Sequence, residues 1–318
     1  MVVRIAVALG SGGARGYAHI GVINELEQRG YEIVSVAGSS MGALVGGAFA
    51  AGELAAYTDW VRGLSGRDVL RQLDPSLSSR GVIHAERVVN HVVELIGDRQ
   101  IEDLHIRFTA VAVDLLAGRE VWLDEGSLAG AIRASISIPG FITPAVVQGR
   151  LLVDGGVLDP VPVVATAAAG ADMVVAVSLH GRGSGPGVPV ADEGIAATVD
   201  RRACFTERPG TFAASARAAA RAMIPRRPPQ EPVPATGAAE GPAVPTVRMF
   251  ETLSLSLEAS QTALTRYCLA AYPPDVLISI PKNACRTMDF HRADEMIDLG
   301  RRLAEEALDG LGPPSPAG

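Results

Sequence analysis

The sequence predicts an α/β protein with a mainly parallel sheet, and two observations carry that prediction. Short runs of Val, Ile, Leu and Ala recur without the alternation of half-exposed strands, as expected of strands buried on both faces. Helical patterns with glycine stops lie between them. The first run, residues 2–9, leads through a glycine-rich turn into a helix over 14–29 that Gly30 ends, and then into a strand over 32–37. This is a βαβ unit. Apolar residues 43–51 form a second helix just after that strand. Further strands are expected over 107–114, 120–123, 151–153, 173–179 and 276–280, with helices over 85–96, 163–169, 249–271 and 290–308.

Residues 1–312 are expected to form one domain that contains a flexible Gly/Pro/Arg-rich insertion at 182–246, with a disordered tail at 313–318. The seven prolines from Pro225 to Pro245 exclude a packed helix or central strand there. Residues 211–224 are alanine-rich, with Arg217 and Arg221 one turn apart, and read as a surface helix. Across 201–227 seven arginines face one acid, Glu207, so the local charge opposes that of the whole chain. This segment is expected to act as a lid or interfacial anchor against an anionic surface.

With 48 % apolar and 20 % charged residues the 318-residue chain is not disordered, and a net charge of −7 argues against a dedicated nucleic-acid binder. Cys204, Cys268 and Cys285 are odd in number and widely spaced, which suits reduced core thiols rather than a disulfide framework. The first residues lack a signal-peptide pattern, and the nearest candidate for a membrane span, 161–179, is broken by Gly170 and Asp172. A cytoplasmic protein with at most peripheral membrane contact is expected.

Three motifs carry chemistry. Gly38-Ser39-Ser40-Met41-Gly42 has the GxSxG form between a strand and a helix. In that setting small residues at Gly38 and Gly42 permit a sharp turn that holds the Ser40 hydroxyl out into a cleft. Asp154, at the end of the apolar run Leu151-Leu152-Val153 and followed by Gly155 and Gly156, can accept a hydroxyl proton if the fold brings it to Ser40. His180 and His291 are the histidines that could complete a triad in the order of an α/β-hydrolase. Gly10-Ser11-Gly12-Gly13-Ala14-Arg15-Gly16 exposes backbone N–H groups at a helix start, a site for a pyrophosphate or for a developing oxyanion. Arg15 stands where GxGxxG requires its third glycine, and Ala37-Gly38 stands where a ribose-binding acid would follow, so a dinucleotide oxidoreductase is disfavoured. His84, His91 and His105 show no metal-ligand spacing.

In this order the three motifs resemble the patatin-like phospholipase family, and the resemblance extends over most of the chain. Ala134-Ser135-Ile136-Ser137-Ile138-Pro139 is similar to the family's Ala-Ser-x-x-x-Pro block, and Ala18-His19-Ile20-Gly21 to its small bacterial cytosolic branch. The resemblance implies a three-layer α/β/α fold and a Ser–Asp dyad of Ser40 and Asp154 without histidine. It also implies an oxyanion hole from Gly12, Gly13 and Ala14. Gly10, Arg15, Gly16, Gly38, Gly42, Gly155 and Gly156 would support loop and elbow. Ser11 replaces a glycine found in many members, and a positive φ there would be strained. The implied activity is hydrolysis of lipid acyl esters, phospholipid or lysophospholipid, without metal or cofactor. A catalytically silent scaffold of the same fold is the alternative, and the oligomeric state stays open.

Overall fold

The computed structural model describes residues 2–64, 91, 93–181 and 249–310, all within one unit of the chain. The expected insertion at 182–246, the tail at 313–318, Cys204 and most of the helix expected over 85–96 lie outside the described residues.

Among the described residues eight strands form one sheet: β1 (Arg4–Leu9), β2 (Glu32–Ser39), β3 (Arg107–Asp114), β4 (Arg119–Leu123), β5 (Ala145–Val147), β6 (Arg150–Asp154), β7 (Met173–Gly181) and β8 (Val276–Pro281). Their order is β5-β6-β3-β2-β1-β7-β8, with β4 also paired to β3. The β3-β2-β1-β7-β8 part is parallel, while β4 and β6 run antiparallel to β3 and β5 antiparallel to β6. The helices are α1 (Ala18–Gln28), α2 (Met41–Ala50), α3 (Leu54–Arg62), α4 (Leu128–Ser135), α5 (Met249–Ala271) and α6 (Ala293–Asp309).

The alternation of β1 explains the three layers. Ile5, Val7 and Leu9 point into the large core with α1, α2 and α6 residues such as Ile20, Leu44 and Ile297. Ala8 faces the other way and packs with Ala176, Val161, Val163 and Leu269 of α5. Large side chains thus fill one face, and small ones let the 161–169 segment come close on the other.

Residues 163–169 form a 3₁₀ helix (Val164–Ala169) ended by Gly170 at φ 60°, since so short an alanine-rich run after Pro162 does not sustain α-helix. The helix expected from residue 14 opens as a 3₁₀ turn (Gly13–Tyr17), because its first residues bond outwards to the loop after β8. α3, α4 and β5 were not anticipated; α4 depends on Ser127, whose hydroxyl caps it by accepting the Gly130 N–H at 3.2 Å.

α1 and α6 cross at two glycines. A Cβ on Gly21 would overlap the Ile297 carbonyl, and one on Gly300 the Ala18 carbonyl. Replacing glycine with alanine in a helix is worth about 1 kcal/mol in propensity. Pushing two backbones apart costs about 1–3 kcal/mol or more, so the clash wins. Gly300→Ala is therefore expected to lower the urea midpoint of unfolding, against the propensity trend.

Candidate active site

The turn from β2 to α2 is strained at Ser40, with φ 56° and ψ −121°. A non-glycine residue stays in that region only where its surroundings over-determine it. A Cβ on Gly38 would overlap the Gly42–Ala43 peptide, and one on Gly42 the Leu9 carbonyl, so α2 can start this close to the sheet only on glycines. Hydrogen bonds secure the turn from outside. The Ser40 N–H donates to Ser135 Oγ at 3.0 Å, and that hydroxyl donates to the Val111 carbonyl at 2.6 Å. Ser39 Oγ donates to the Asp159 carbonyl at 2.6 Å.

Strand β3 brings the second group in. Its Val111 pairs with Ser39 at the end of β2, and its next residue, Ala112, pairs with Asp154 at the end of β6. β4 occupies the opposite edge of this stretch, so β2 and β6 share one edge of β3 and their ends converge. Asp154 is 2 % exposed, and its Oδ1 accepts the Gly156 N–H at 2.8 Å. Burial pushes its carboxyl up to about 7, against the opposing pull of the Ser40 hydroxyl and the Gly156 N–H. The Ser40 hydroxyl is thus close enough to favour the ionised acid, although Oδ2 completes no well-formed hydrogen bond. Contacts of this kind commonly tighten only when substrate binds.

The N–H groups of the glycine loop fall into two sets. Gly10 donates to Val177 O at 3.0 Å, Ser11 to Pro160 O at 2.9 Å and Ala14 to Thr287 O at 2.9 Å. Gly12 and Gly13 have no partner among the described residues. Ala14, expected as a third oxyanion donor, is therefore engaged elsewhere. Gly13 has φ 60°, and a Cβ there would overlap the Thr287 carbonyl, while Ser11 avoids positive φ. A Cβ on Gly16 would overlap Met41, which brings loop and elbow into contact. Arg15 is a brace, with Nη1 on the Lys282 carbonyl at 2.8 Å and Nη2 paired with Glu258 at 2.9 Å. His19 is fully buried, with its pKa pushed down to about 4 by burial, so its neutral ring donates from Nε2 to the Gly10 carbonyl at 2.8 Å.

Ser40, Asp154, Ser11, Gly12 and Gly13 line one cleft of about 780 Å³. Neither His180 nor His291 lines it. His180 lies buried on β7, pushed down to about 4 by burial and then by Arg15. The sequence reading missed Ser135 as the brace of the elbow and Glu258 and Thr287 as supports of the loop. Only Ser135 lay inside a motif, and no local pattern marks the other two.

A family model described as patatin-like phospholipase matches residues 7–167, which include the glycine loop, Ser40 and Asp154. The chain belongs to the patatin-like phospholipase family. An uncharacterized NTE family protein of Mycobacterium tuberculosis is 45 % identical over 97 % of this chain and 92 % of its own length. Lysophospholipase nte1 of Emericella nidulans is 31 % identical over 55 % of this chain, only 12 % of that protein. Mouse patatin-like phospholipase domain-containing protein 7 is 30 % identical over 56 % of this chain and 14 % of its own length. Membership of the patatin-like phospholipase family places the chain among lipid acyl hydrolases.

The raised pKa of Asp154 makes a stability prediction. An unfolded aspartate titrates near 3.9, so between about pH 4 and pH 7 the folded chain binds the extra proton. This group's contribution to stability therefore falls as pH rises through that window. Asp154→Asn keeps an acceptor for Gly156 without the buried charge. Its Tm should exceed that of the parent at pH 8, and the difference should vanish towards pH 4.

Proposed function

We propose that the chain is a serine acyl hydrolase that cleaves phospholipid or lysophospholipid acyl esters through Ser40 and Asp154. The observation that carries this reading is the convergence of a strained, braced serine and a buried carboxyl of near-neutral pKa in a cleft with two N–H groups that have no partner among the described residues. Asp154 takes the Ser40 proton as Oγ bonds to the ester carbonyl carbon. The N–H groups of Gly12 and Gly13 receive the oxyanion. Collapse breaks the bond to the alcohol, which leaves with the proton from Asp154, and an acyl-serine remains. Asp154 then takes a proton from water, whose oxygen attacks the acyl carbon. Release of the fatty acid returns the proton to Ser40. A base near pKa 7 is well matched to this shuttle, since it accepts and returns a proton at similar cost.

The arginine-rich stretch 201–227 supports a peripheral contact with anionic lipid through charge alone, and salt-sensitive binding to anionic vesicles tests it.

Ser40→Ala should abolish covalent labelling by a fluorophosphonate, read by mass spectrometry. Surviving label, or label mapped to Ser39 or Ser135, would overturn Ser40 as the nucleophile. Asp154→Asn should lower kcat by about 10²–10⁴-fold, whereas His180→Ala and His291→Ala should stay close to the parent. Activity should fall below about pH 7 as Asp154 takes up its proton. Burial also raises Asp159 to about 7, so the limb is assigned by its persistence in Asp159→Asn.

A further inference from the structure

The cleft that holds Ser40 is lined by four cationic side chains, Arg15, Lys282, Arg286 and Arg292. Two are already neutralised. Arg15 pairs with Glu258 at 2.9 Å, and Arg292 pairs with Glu295 and lies 3.9 Å from Asp289. Asp289 also spends a carboxylate oxygen on the backbone N–H of Arg286, at 3.0 Å. The Lys282 ammonium and the Arg286 guanidinium have neither an ion pair nor a side-chain hydrogen bond among the described residues, and both are exposed. Lys282 is the only lysine in a chain of net charge −7.

The backbone that carries this pair is fixed. Thr287 O accepts from Ala14, Lys282 O from Arg15, Gly181 O from Lys282 at 3.0 Å and Ala284 O from Arg292 at 3.0 Å. These bonds seat the loop after β8 directly against the glycine loop, with Thr287 filling the space beside Gly13. Apolar lining comes from other elements, with Ile138 and Phe141 after α4 and Leu255 and Leu257 on α5. The cleft thus offers apolar side chains suited to an acyl chain and, at Lys282 and Arg286, positive charge held in no ion pair among the described residues, with Glu258, Asp289 and Asp154 the acids that share the lining. A cleft focuses such a field more strongly than an open surface does.

We propose that Lys282 and Arg286 form a subsite for a phosphate group on the substrate, so that acyl esters bearing phosphate are preferred over neutral ones. A lysine supplies a mobile point charge and an arginine a planar fork, a pairing that suits phosphate oxygens. The inference rests on the acyl hydrolase reading of the same cleft and adds the residues that read the polar end.

The test compares 1-octanoylglycerol 3-phosphate with 1-octanoylglycerol, both kept monomeric, at low and high salt. The ratio of their kcat/KM values should fall roughly tenfold in Lys282→Gln/Arg286→Gln, through KM for the phosphate ester, and should fall in the parent as salt rises. Lys282→Arg should keep most of the preference that Lys282→Gln loses, and Arg119→Gln on β4 should leave it as it was. An unchanged ratio in the double variant, or a fall confined to kcat, overturns the subsite. Competition of neutral-ester hydrolysis by glycerol 3-phosphate separates the two sources of phosphate. Inhibition lost in the double variant supports a site that takes the free anion as well as the head group, and a changed ester ratio without inhibition supports one that reads phosphate only on the lipid. If the parent cleaves neither ester, the hydrolase reading fails. The subsite is then judged by calorimetric titration with glycerol 3-phosphate, where equal binding by parent and double variant overturns it.

Discussion

Two consecutive residues of β3, Val111 and Ala112, are the junction on which the site depends. Val111 pairs with the last residue of β2, Ala112 pairs with Asp154, and the Val111 carbonyl also anchors the Ser135 hydroxyl that receives the Ser40 N–H. A Cβ on Gly155 would overlap that same carbonyl. One peptide group therefore sets the distance between two chain segments more than a hundred residues apart. Side chains alternate in a strand, so a shift of one residue in either pairing would turn its end to the wrong face.

Around that junction the backbone is almost fully committed, and the exceptions define the chemistry. The loop after β1 spends the N–H groups of Gly10, Ser11 and Ala14 on carbonyls from three other segments and leaves those of Gly12 and Gly13 without a partner among the described residues. Buried donors without partners are costly, so a pair of them facing a cleft beside a strained serine is tolerable where a transient negative charge will occupy them. His19 and Arg15 stiffen the same loop from below, one through a carbonyl and the other through an ion pair with α5. Both act as supports, the part that the resemblance implied for Arg15.

The buried carboxyl works against the fold. Asp154 costs stability when ionised, yet the same burial lifts it to about 7, where it can exchange a proton with a hydroxyl. Its environment is built from small residues, Gly155 and Gly156, which admit the backbone of β3 and the side chain of Ser11 at close range. Replacing either glycine would ease neither problem, because the neighbours are backbone or already packed.

Much of this was legible in the chain itself. Unalternating apolar runs marked the buried parallel strands, and Gly30 marked a helix stop, because backbone conformation and burial on both faces are local demands written in residue type. GxSxG, the glycine loop and the Asp-Gly-Gly turn were visible for the same reason. Each needs small residues where a chain bends or another comes close. What the sequence could not decide was which partner each group finds. That Asp154 rather than His180 or His291 reaches Ser40, that Ala14 is diverted to Thr287, and that Glu258 neutralises Arg15 while Lys282 and Arg286 have no ion pair among the described residues all follow from strand order and loop packing. Such contacts join residues far apart in the chain, and the charge and hydrogen-bonding capacity of a side chain are the same whichever neighbour it meets. Only the tertiary structure selects that neighbour, by the register of β3 and by the docking of the loop after β8 against the glycines.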